Sequence, residues 1–322
     1  MKRAFSSVLL AAGLVVLPLV ASGPYYIHTF ILAMMNIALA SSLRLISLSG
    51  QIPLAHGGMA TIGAYMSALL MMKLGLSSWL SLIIAGLGVA LIATLVGYPF
   101  VRLKGVYFTI VTAFFGEMVV LTAQQWQSLT GGSGGVYGIP GPDPIVVPGL
   151  FTIDFSSKAE FYYLVLFLVA VNLAFIYAIE KSRVGLTFSG IKQADSLAES
   201  SGIDTIGFKV LAFAAGSFFA GIVGAFYSQY ISAIAPDSFG FMFTVYTLVY
   251  MVAGGQKSFM GPILGAIVLT LLPEVTRSFK EYVPFFFAAV LIAVIFFVPD
   301  GIAGLALRTT WWVSKKLGMK HA

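Results

Sequence analysis

The sequence predicts an all-α fold: a polytopic bundle of about ten membrane-spanning helices, N-in/C-in, forming one domain over residues 1–322. Three observations predict it. Of the 322 residues, 59% are hydrophobic and 9% are charged, whereas a soluble domain carries about 25% charged residues. Mean hydropathy is +0.98, so too little polar surface exists to face water all round. The charge-free runs are also long. Ala4 to Leu43, Leu45 to Met72, Leu74 to Val101 and Val210 to Pro236 are four of them, and a span needs about 20 apolar residues. Finally, the cations segregate. With the first span entering from inside, fourteen of the 18 lysines and arginines fall on the inner side, as the positive-inside bias requires.

Taken in order, the spans fall roughly at 5–22, 25–46, 52–72, 78–99, 106–126, 161–180, 208–233, 239–254, 259–274 and 283–300. Lys2, Arg3, an apolar run and Ala21-Ser22-Gly23 imitate a signal peptide. Apolar character resumes at Tyr25, so an uncleaved first span is expected. The third span opens with Gly50-Gln51-Ile52-Pro53, followed by His56-Gly57-Gly58 and Gly63-Ala64-Tyr65. Proline, paired glycines and a histidine predict a broken helix near 50–65, with a second break near 254–266 around Gly254-Gly255 and Gly261-Pro262. Irregular backbone at membrane depth is tolerated only where protein or a water-filled cavity satisfies it. Paired interruptions of this kind mark midplane sites in transporters. In the fifth span Glu117 is an acid placed mid-membrane, a functional candidate by its position. The plainer role for it is a structural hydrogen bond between helices.

The loop 127–160 is rich in glycine and proline and falls on the outer side. Thr130-Gly131-Gly132-Ser133-Gly134-Gly135 lacks the Gly-Lys-Ser/Thr ending and following helix of a phosphate-binding loop. It is expected to be a rigid turn, and no ATP hydrolysis is expected of the chain. In the seventh span Ala212, Gly216, Ala220, Gly224 and Ser228 form a small-residue ridge for close helix packing, and Gly261 and Gly265 form another in the ninth.

The loop 181–209 is the longest polar interruption with helical periodicity. Ile191, Ala194, Leu197 and Ala198 fall on one helical face, and Lys192, Asp195, Ser196 and Glu199 on the other. Ser189 is a suitable N-cap and Gly202 a suitable stop. A helix over 190–201 is therefore expected, lying on the lipid surface or docking a soluble partner. The chain has no cysteine and three histidines, so neither a disulfide framework nor a metal cluster is expected. The net charge of +6 reports inner loops rather than nucleic-acid binding.

Several stretches, in order, resemble a known family. SGQIPLAHGGMATIGAY is similar to its opening glycine-rich segment. VRLKGVYFTIVTAFFGEMV resembles a Leu-Arg-Leu-x-Gly-x-Tyr segment ending in Gly-Glu. LTGGSGGVYGIPGP, SRVGLTFSGIKQADSLAESSGID, APDSF, AGGQKSFMGPILGA and LLPE complete the series. From about residue 36 to 305 the chain resembles an M-type permease subunit of the branched-chain amino acid class of ABC importers. Val106 stands where that family usually has an acid. Ile191-Lys192-Gln193-Ala194-Asp195 departs from its Ile-Arg-x-Asp-Glu pattern.

The resemblance implies a multi-pass bacterial plasma-membrane protein in contact with lipid, with no cofactor and no catalysis of its own. It implies a second permease subunit as heterodimer partner, two cytoplasmic ATP-binding subunits and an extracytoplasmic solute-binding protein. It implies import of Leu, Ile or Val; related permeases carry urea, short amides or aromatic acids. The 181–209 loop is then the cytoplasmic coupling loop, with Arg183, Gly185, Ile191, Lys192, Ala194, Asp195, Leu197, Ala198, Glu199 and Gly202 as coupling positions. Gln51, His56, Gly57, Gly58, Tyr65, Thr112 and Glu117 are the pathway candidates. The rival reading is an ion-coupled secondary transporter using Glu117; a channel is disfavoured because no filter-like repeat occurs.

Overall fold

The computed structural model describes residues 23–147, 151–155, 157–275, 288, 292 and 301–304. The expected spans 5–22 and, apart from 288 and 292, 283–300 lie outside the described residues, as does the signal-peptide-like segment. Five helices among the described residues are long and apolar enough to cross a membrane. They are α1 (Pro24–Ser47), α3 (Ser78–Phe100), α4 (Val106–Gln125), α5 (Lys158–Lys181) and α8 (Thr205–Ile231). Between and after them run α2 (His56–Leu74), α6 (Arg183–Gln193), α7 (Asp195–Ser200), α9 (Phe241–Gly254) and α10 (Gly261–Val275).

The helix ends follow local chemistry. Pro24 opens α1, where its missing N–H is no loss. Gly75 at φ +62 closes α2, and Gly105 at φ +57 precedes α4. Ser157 and Glu160 form a capping box on α5, and the Asp204 carboxylate accepts from Gly207 N–H at 2.9 Å on α8.

α8 is the central post, packed against α1, α2 and α3. Its small ridge does this. A Cβ on Gly216 would lie 2.8 Å from Ser42 O of α1, and one on Gly221 would lie 2.8 Å from Val89 of α3. A Cβ on Gly224 would strike the Ala60 carbonyl of α2. Polar side chains add interhelical bonds. Gln229 Nε2 donates to Ser67 Oγ at 3.1 Å, and Asn172 Nδ2 donates to Ala38 O at 3.0 Å. On α3, Ile83, Leu87, Leu91 and Leu95 recur every fourth residue on the outward face and are all exposed, the stripe a lipid-facing helix needs.

Two short antiparallel sheets depart from a purely helical expectation. β1 (Val136–Tyr137) pairs with β4 (Ala233–Ile234), Val136 opposite Ile234. β2 (Ile145–Val147) pairs with β3 (Phe151–Ile153). With a 3-10 turn at Gly132–Gly134, they give the glycine-rich loop real structure where a simple turn was expected. The loop is also tied down: Asp143 Oδ2 accepts from Ser78 N–H at 2.7 Å, capping α3.

The breaks are better placed than the sequence could place them. The helix from His56 is regular through Tyr65; the interruption is the irregular, non-helical stretch 51–55 before it. This strap runs along α4. Gln51 Nε2 donates to Val101 O at 3.2 Å, Thr109 Oγ1 donates to Ile52 O at 2.8 Å, and Leu54 N–H donates to Thr112 Oγ1 at 3.0 Å. A Cβ on Gly116 would lie 3.2 Å from Ala55. From Val106 to Gly116 is about 15 Å at 1.5 Å per residue, so α2 begins deep in the bundle. A second segment enters from the opposite end. Gln124 Nε2 donates to Asp237 Oδ1 at 2.7 Å, and the 3-10 turn Pro236–Phe239 then reaches Gly57. There α9 begins, and Gly57 N–H donates to Thr244 Oγ1 at 2.9 Å. Two helices thus start at depth with their N-termini in contact. The second predicted break falls at 255–260, between α9 and α10, where Gly261 and Gly265 pack on Gly254.

Candidate functional site

One end of the bundle carries Arg44, Arg102, Lys181, Arg183, Lys192 and Lys257; Lys73 and Lys158 lie at the other. At the basic end, α6 follows α5 through a tight turn. Gly185 is required there, because a Cβ would lie 2.5 Å from Glu180 O. Ser182, not Ser189, caps α6, its hydroxyl accepting from Val184 N–H at 3.2 Å. Ser189 falls inside the helix.

The single helix expected over 190–201 is two helices. Ala194, at φ −154 and ψ 90, is extended and breaks it. The expected apolar stripe is divided accordingly. Ile191 and Ala198 are buried against the body, Ala194 is half-buried, and Leu197 points out, 65% exposed. Leu186, passed over in the sequence, is 72% exposed and supplies a second outward leucine. Its signal was present: it lies on the face opposite Phe188 and Ile191. Arg183, Lys192 and Glu199 are exposed, and Gly202, at φ +84, ends α7 as expected.

This helix pair is anchored, not free. Phe188 is buried with Leu45 of α1, Ile176 of α5 and Ala212 of α8. Lys209 Nζ of α8 pairs with Asp195 Oδ2 at 2.6 Å. Although Lys192 is exposed as a residue, partial desolvation of its amine first, and then the Arg44 charge, push that amine below the ordinary lysine value. Lys192 also touches the strap: a Cβ on Gly50, itself at φ +86, would lie 3.2 Å from Lys192 Cα.

Arg44 is the residue that sequence reasoning left as a mere inner-side cation. It is 1% exposed. Its guanidinium forks onto Glu180, with Nη1 to Oε2 at 3.0 Å and Nη2 to Oε1 at 2.9 Å, and its Nε donates to Gln256 O at 3.0 Å. One side chain therefore ties α1, α5 and the α9–α10 turn together. The available signal was a lone arginine inside an otherwise charge-free run of about 70 residues.

The pathway candidates divide into two sets. Gln51, His56, Gly57, Gly58 and Thr112 are buried and bonded within the chain. His56 Nε2 lies 2.9 Å from Ser42 Oγ, and Gly58 packs on Gly116 with 2.7 Å to a built Cβ. Tyr65 and Glu117 instead line clefts. Tyr65 lies on an apolar cleft of about 630 Å³ among α2, α3 and α4, its hydroxyl buried and unpartnered among the described residues. Glu117 lies on an open cleft of about 750 Å³ along the outer face of α4. No group of three His, Asp or Glu among the described residues could hold a metal ion.

Residues 25–299 match the family model described as branched-chain amino acid transport system / permease component. Curated relatives agree. The high-affinity branched-chain amino acid transport system permease protein LivM of Escherichia coli K12 is 32% identical over 295 residues, covering 84% of this chain and 68% of the relative. LivM of Salmonella typhimurium is 30% identical, covering 80% of this chain and 64% of the relative. The permease protein LivH of Escherichia coli K12 is 27% identical over 278 residues, 79% of this chain and 86% of the relative. The chain thus spans about two thirds of the length of the LivM relatives. No solved structure matches it.

Proposed function

Because the chain belongs to the family of branched-chain amino acid transport permeases, we propose that it is the M-type permease subunit of an ABC importer for leucine, isoleucine and valine. The family match over residues 25–299 carries this reading. It is a multi-pass protein of the bacterial inner membrane, and its work is transport, with hydrolysis left to partner ATPases. The basic end faces the cytoplasm, by the positive-inside bias, with both termini inside and ten spans in all. A second permease completes the pathway. The LivH relatives align with this chain over 79% of its length, so one fold serves both halves of the pair.

The coupling surface is α6–α7. Leu186 and Leu197 are its apolar knobs, framed by Arg183, Lys192 and Glu199, and they seat in a groove of one ATPase as a short helix seats in an apolar groove. Gly185, Ile191, Ala194, Asp195, Ala198 and Gly202 hold that surface in place. A solute-binding protein docks at the far end, on the 127–160 loop. Gly57 and Gly58 shape the floor of the pathway, Gln51, His56 and Thr112 fix the strap beside it, and Tyr65 and Glu117 border its clefts. The ion-coupled alternative gains no support from these relatives.

The test is uptake into proteoliposomes holding both permeases, the ATPases and the binding protein. Radiolabelled leucine accumulates with internal ATP and not with an ion gradient alone. Uptake by this chain alone, driven by a gradient, overturns the assignment. Leu186→Asp with Leu197→Asp abolishes uptake while insertion persists; unchanged uptake removes the coupling role from α6–α7.

A further inference from the structure

Two loops at the outer end interlock over the point where α2 and α9 begin. One follows α4 and the other follows α8. Their joint is small: β1 and β4 pair with Val136 opposite Ile234 and Tyr137 opposite Ala233. Gly138 N–H and Ile139 N–H donate to Ser232 O at 3.0 and 3.1 Å. Gly135, at φ +78, lets the loops touch, since a Cβ there would strike the Ile234 carbonyl. The exposed bond from Gln124 Nε2 to Asp237 Oδ1, at 2.7 Å, closes the same joint. Ser232 is held at φ +58, alone among the described non-glycine residues in having a positive φ.

Below the joint, the way down to α2 is occupied by chain that is not α-helical. Residues 233–239 run inward until the Phe239 carbonyl rests on Gly57. The buried Phe239 ring packs on Tyr227 and Phe243, with centroids 5.0 and 4.9 Å away. Irregular backbone at membrane depth is tolerated where protein covers it or where it lines a watered cavity. Here protein covers it: Ile139, Ile234 and Phe239 close over Ala64 and Tyr65 of α2. The Tyr65 hydroxyl is sealed in with no hydrogen-bond partner among the described residues. Buried polar groups are ordinarily satisfied, so this one is accounted for by a second arrangement in which water or solute reaches it.

We propose that residues 232–240 are the outer gate of the transport pathway, held shut by the β1–β4 pairing and the Gln124–Asp237 bond. Ser232 ends α8 and Gly240 precedes α9, the element-terminal positions that hinges occupy. Opening parts two short strands and one exposed contact, and it uncovers Tyr65 and the Gly57–Gly58 floor together. A solute released by a protein docked on the 127–160 loop meets this gate first. The inference rests on the importer reading of the chain.

The test uses the complete complex in proteoliposomes, with this chain carrying Tyr137→Cys and Ala233→Cys. Facing residues of an antiparallel pair have Cα atoms about 4.5–5.5 Å apart, within the about 4.4–6.8 Å that a disulfide spans. The chain has no cysteine of its own. Oxidised, the double variant takes up leucine at least tenfold more slowly than in its reduced form, and reduction restores the rate. Either single variant is indifferent to oxidant. A merely structural joint is not moved by the bond, because its partners never part. Ala64→Cys gives an independent readout: its thiol is shielded from a water-soluble thiol reagent at rest and is labelled severalfold faster during leucine transport. Undiminished uptake by the cross-linked variant, or labelling of Ala64→Cys that does not quicken with transport, overturns the proposal. Failure of the wild-type complex to move any branched-chain amino acid overturns instead the importer reading, before a variant is measured.

Discussion

Breaking the Arg44–Glu180 fork from its two sides has unequal consequences. Glu180→Leu leaves the Arg44 guanidinium at 1% exposure with only the Gln256 carbonyl as partner. Removing one partner of a buried ion pair costs about 3–5 kcal/mol, because an uncompensated charge remains. Arg44→Met leaves the Glu180 carboxylate, whose side chain is 27% exposed and reaches water. That change costs less, about 1–3 kcal/mol, the range for an orphaned polar group. The double variant Arg44→Met/Glu180→Leu removes both charges, and apolar replacement of a whole buried pair is close to neutral. The double variant is therefore more stable than Glu180→Leu, with a coupling energy equal to the sum of the two single costs, about 4–8 kcal/mol, above the usual range for neighbouring residues. Thermal unfolding of the purified subunit in detergent measures it. At about 2–4 °C per kcal/mol, Glu180→Leu lowers the midpoint by about 6–20 °C, and the second substitution returns most of that. Additive single effects, or Arg44→Met as severe as Glu180→Leu, refute the reasoning.

The strap gives a second test. Thr112→Val removes the acceptor of Leu54 N–H inside the bundle, costs about 1–3 kcal/mol, and leaves Thr112→Ser near wild type in the same unfolding assay. Gly57→Ala places a Cβ against the Phe239 carbonyl and Thr244 Oγ1; size-exclusion chromatography shows loss of the monodisperse protein, whereas Gly134→Ala, open on all sides, is silent. Asp143→Ala removes the carboxylate from the N-terminus of α3 and lowers stability by about 1 kcal/mol, read by the same melt. Lys192, held below the ordinary lysine value by partial desolvation of its amine and Arg44, is acylated faster near neutral pH than Lys181, as peptide mapping after brief labelling shows. Because its folded value lies below the unfolded one, stability rises as pH climbs between the two, and Lys192→Met abolishes that rise.

The helices were legible in the sequence because burial in lipid leaves a one-dimensional record. Charge-free runs fix α1, α3, α4, α5 and α8 to within a few residues, since a charge at the bilayer centre is costly wherever it falls. The small ridge of α8 was legible for the same kind of reason: only glycine, alanine and serine permit the approach to Ser42 and Ala60. What was not legible depended on three-dimensional partners. The α6–α7 break at Ala194 has no glycine or proline to announce it. The burial of Ile191 and Ala198 follows from Phe188 drawing the helix onto α1, α5 and α8. Arg44 carried a charge whose partner lies 136 residues away, beyond any local pattern. The short sheets were missed because two- and three-residue strands leave no alternation to detect.

The strap explains why these separate features belong to one device. Helices α6 and α7 meet the bundle at two kinds of contact: a packed one through Phe188, and a steric one where Lys192 abuts Gly50. Gly50 leads into an irregular segment with no helix of its own to absorb a push. Its next residues are bonded in series to Val101, Thr109 and Thr112, and Ala55 rests on Gly116. A displacement at Lys192 therefore acts on the end of α3 through Val101, on the inner half of α4 and on the first turn of α2. The same first turn is bonded through Gly57 to Thr244 of α9. Packed interfaces change between discrete arrangements rather than deform continuously, so the elements that start at depth, α2 and α9, are the ones free to re-seat. Glu117 follows Gly116 directly. Among the described residues its carboxylate has no hydrogen bond or ion pair, and it is next to the point where the strap bears on α4.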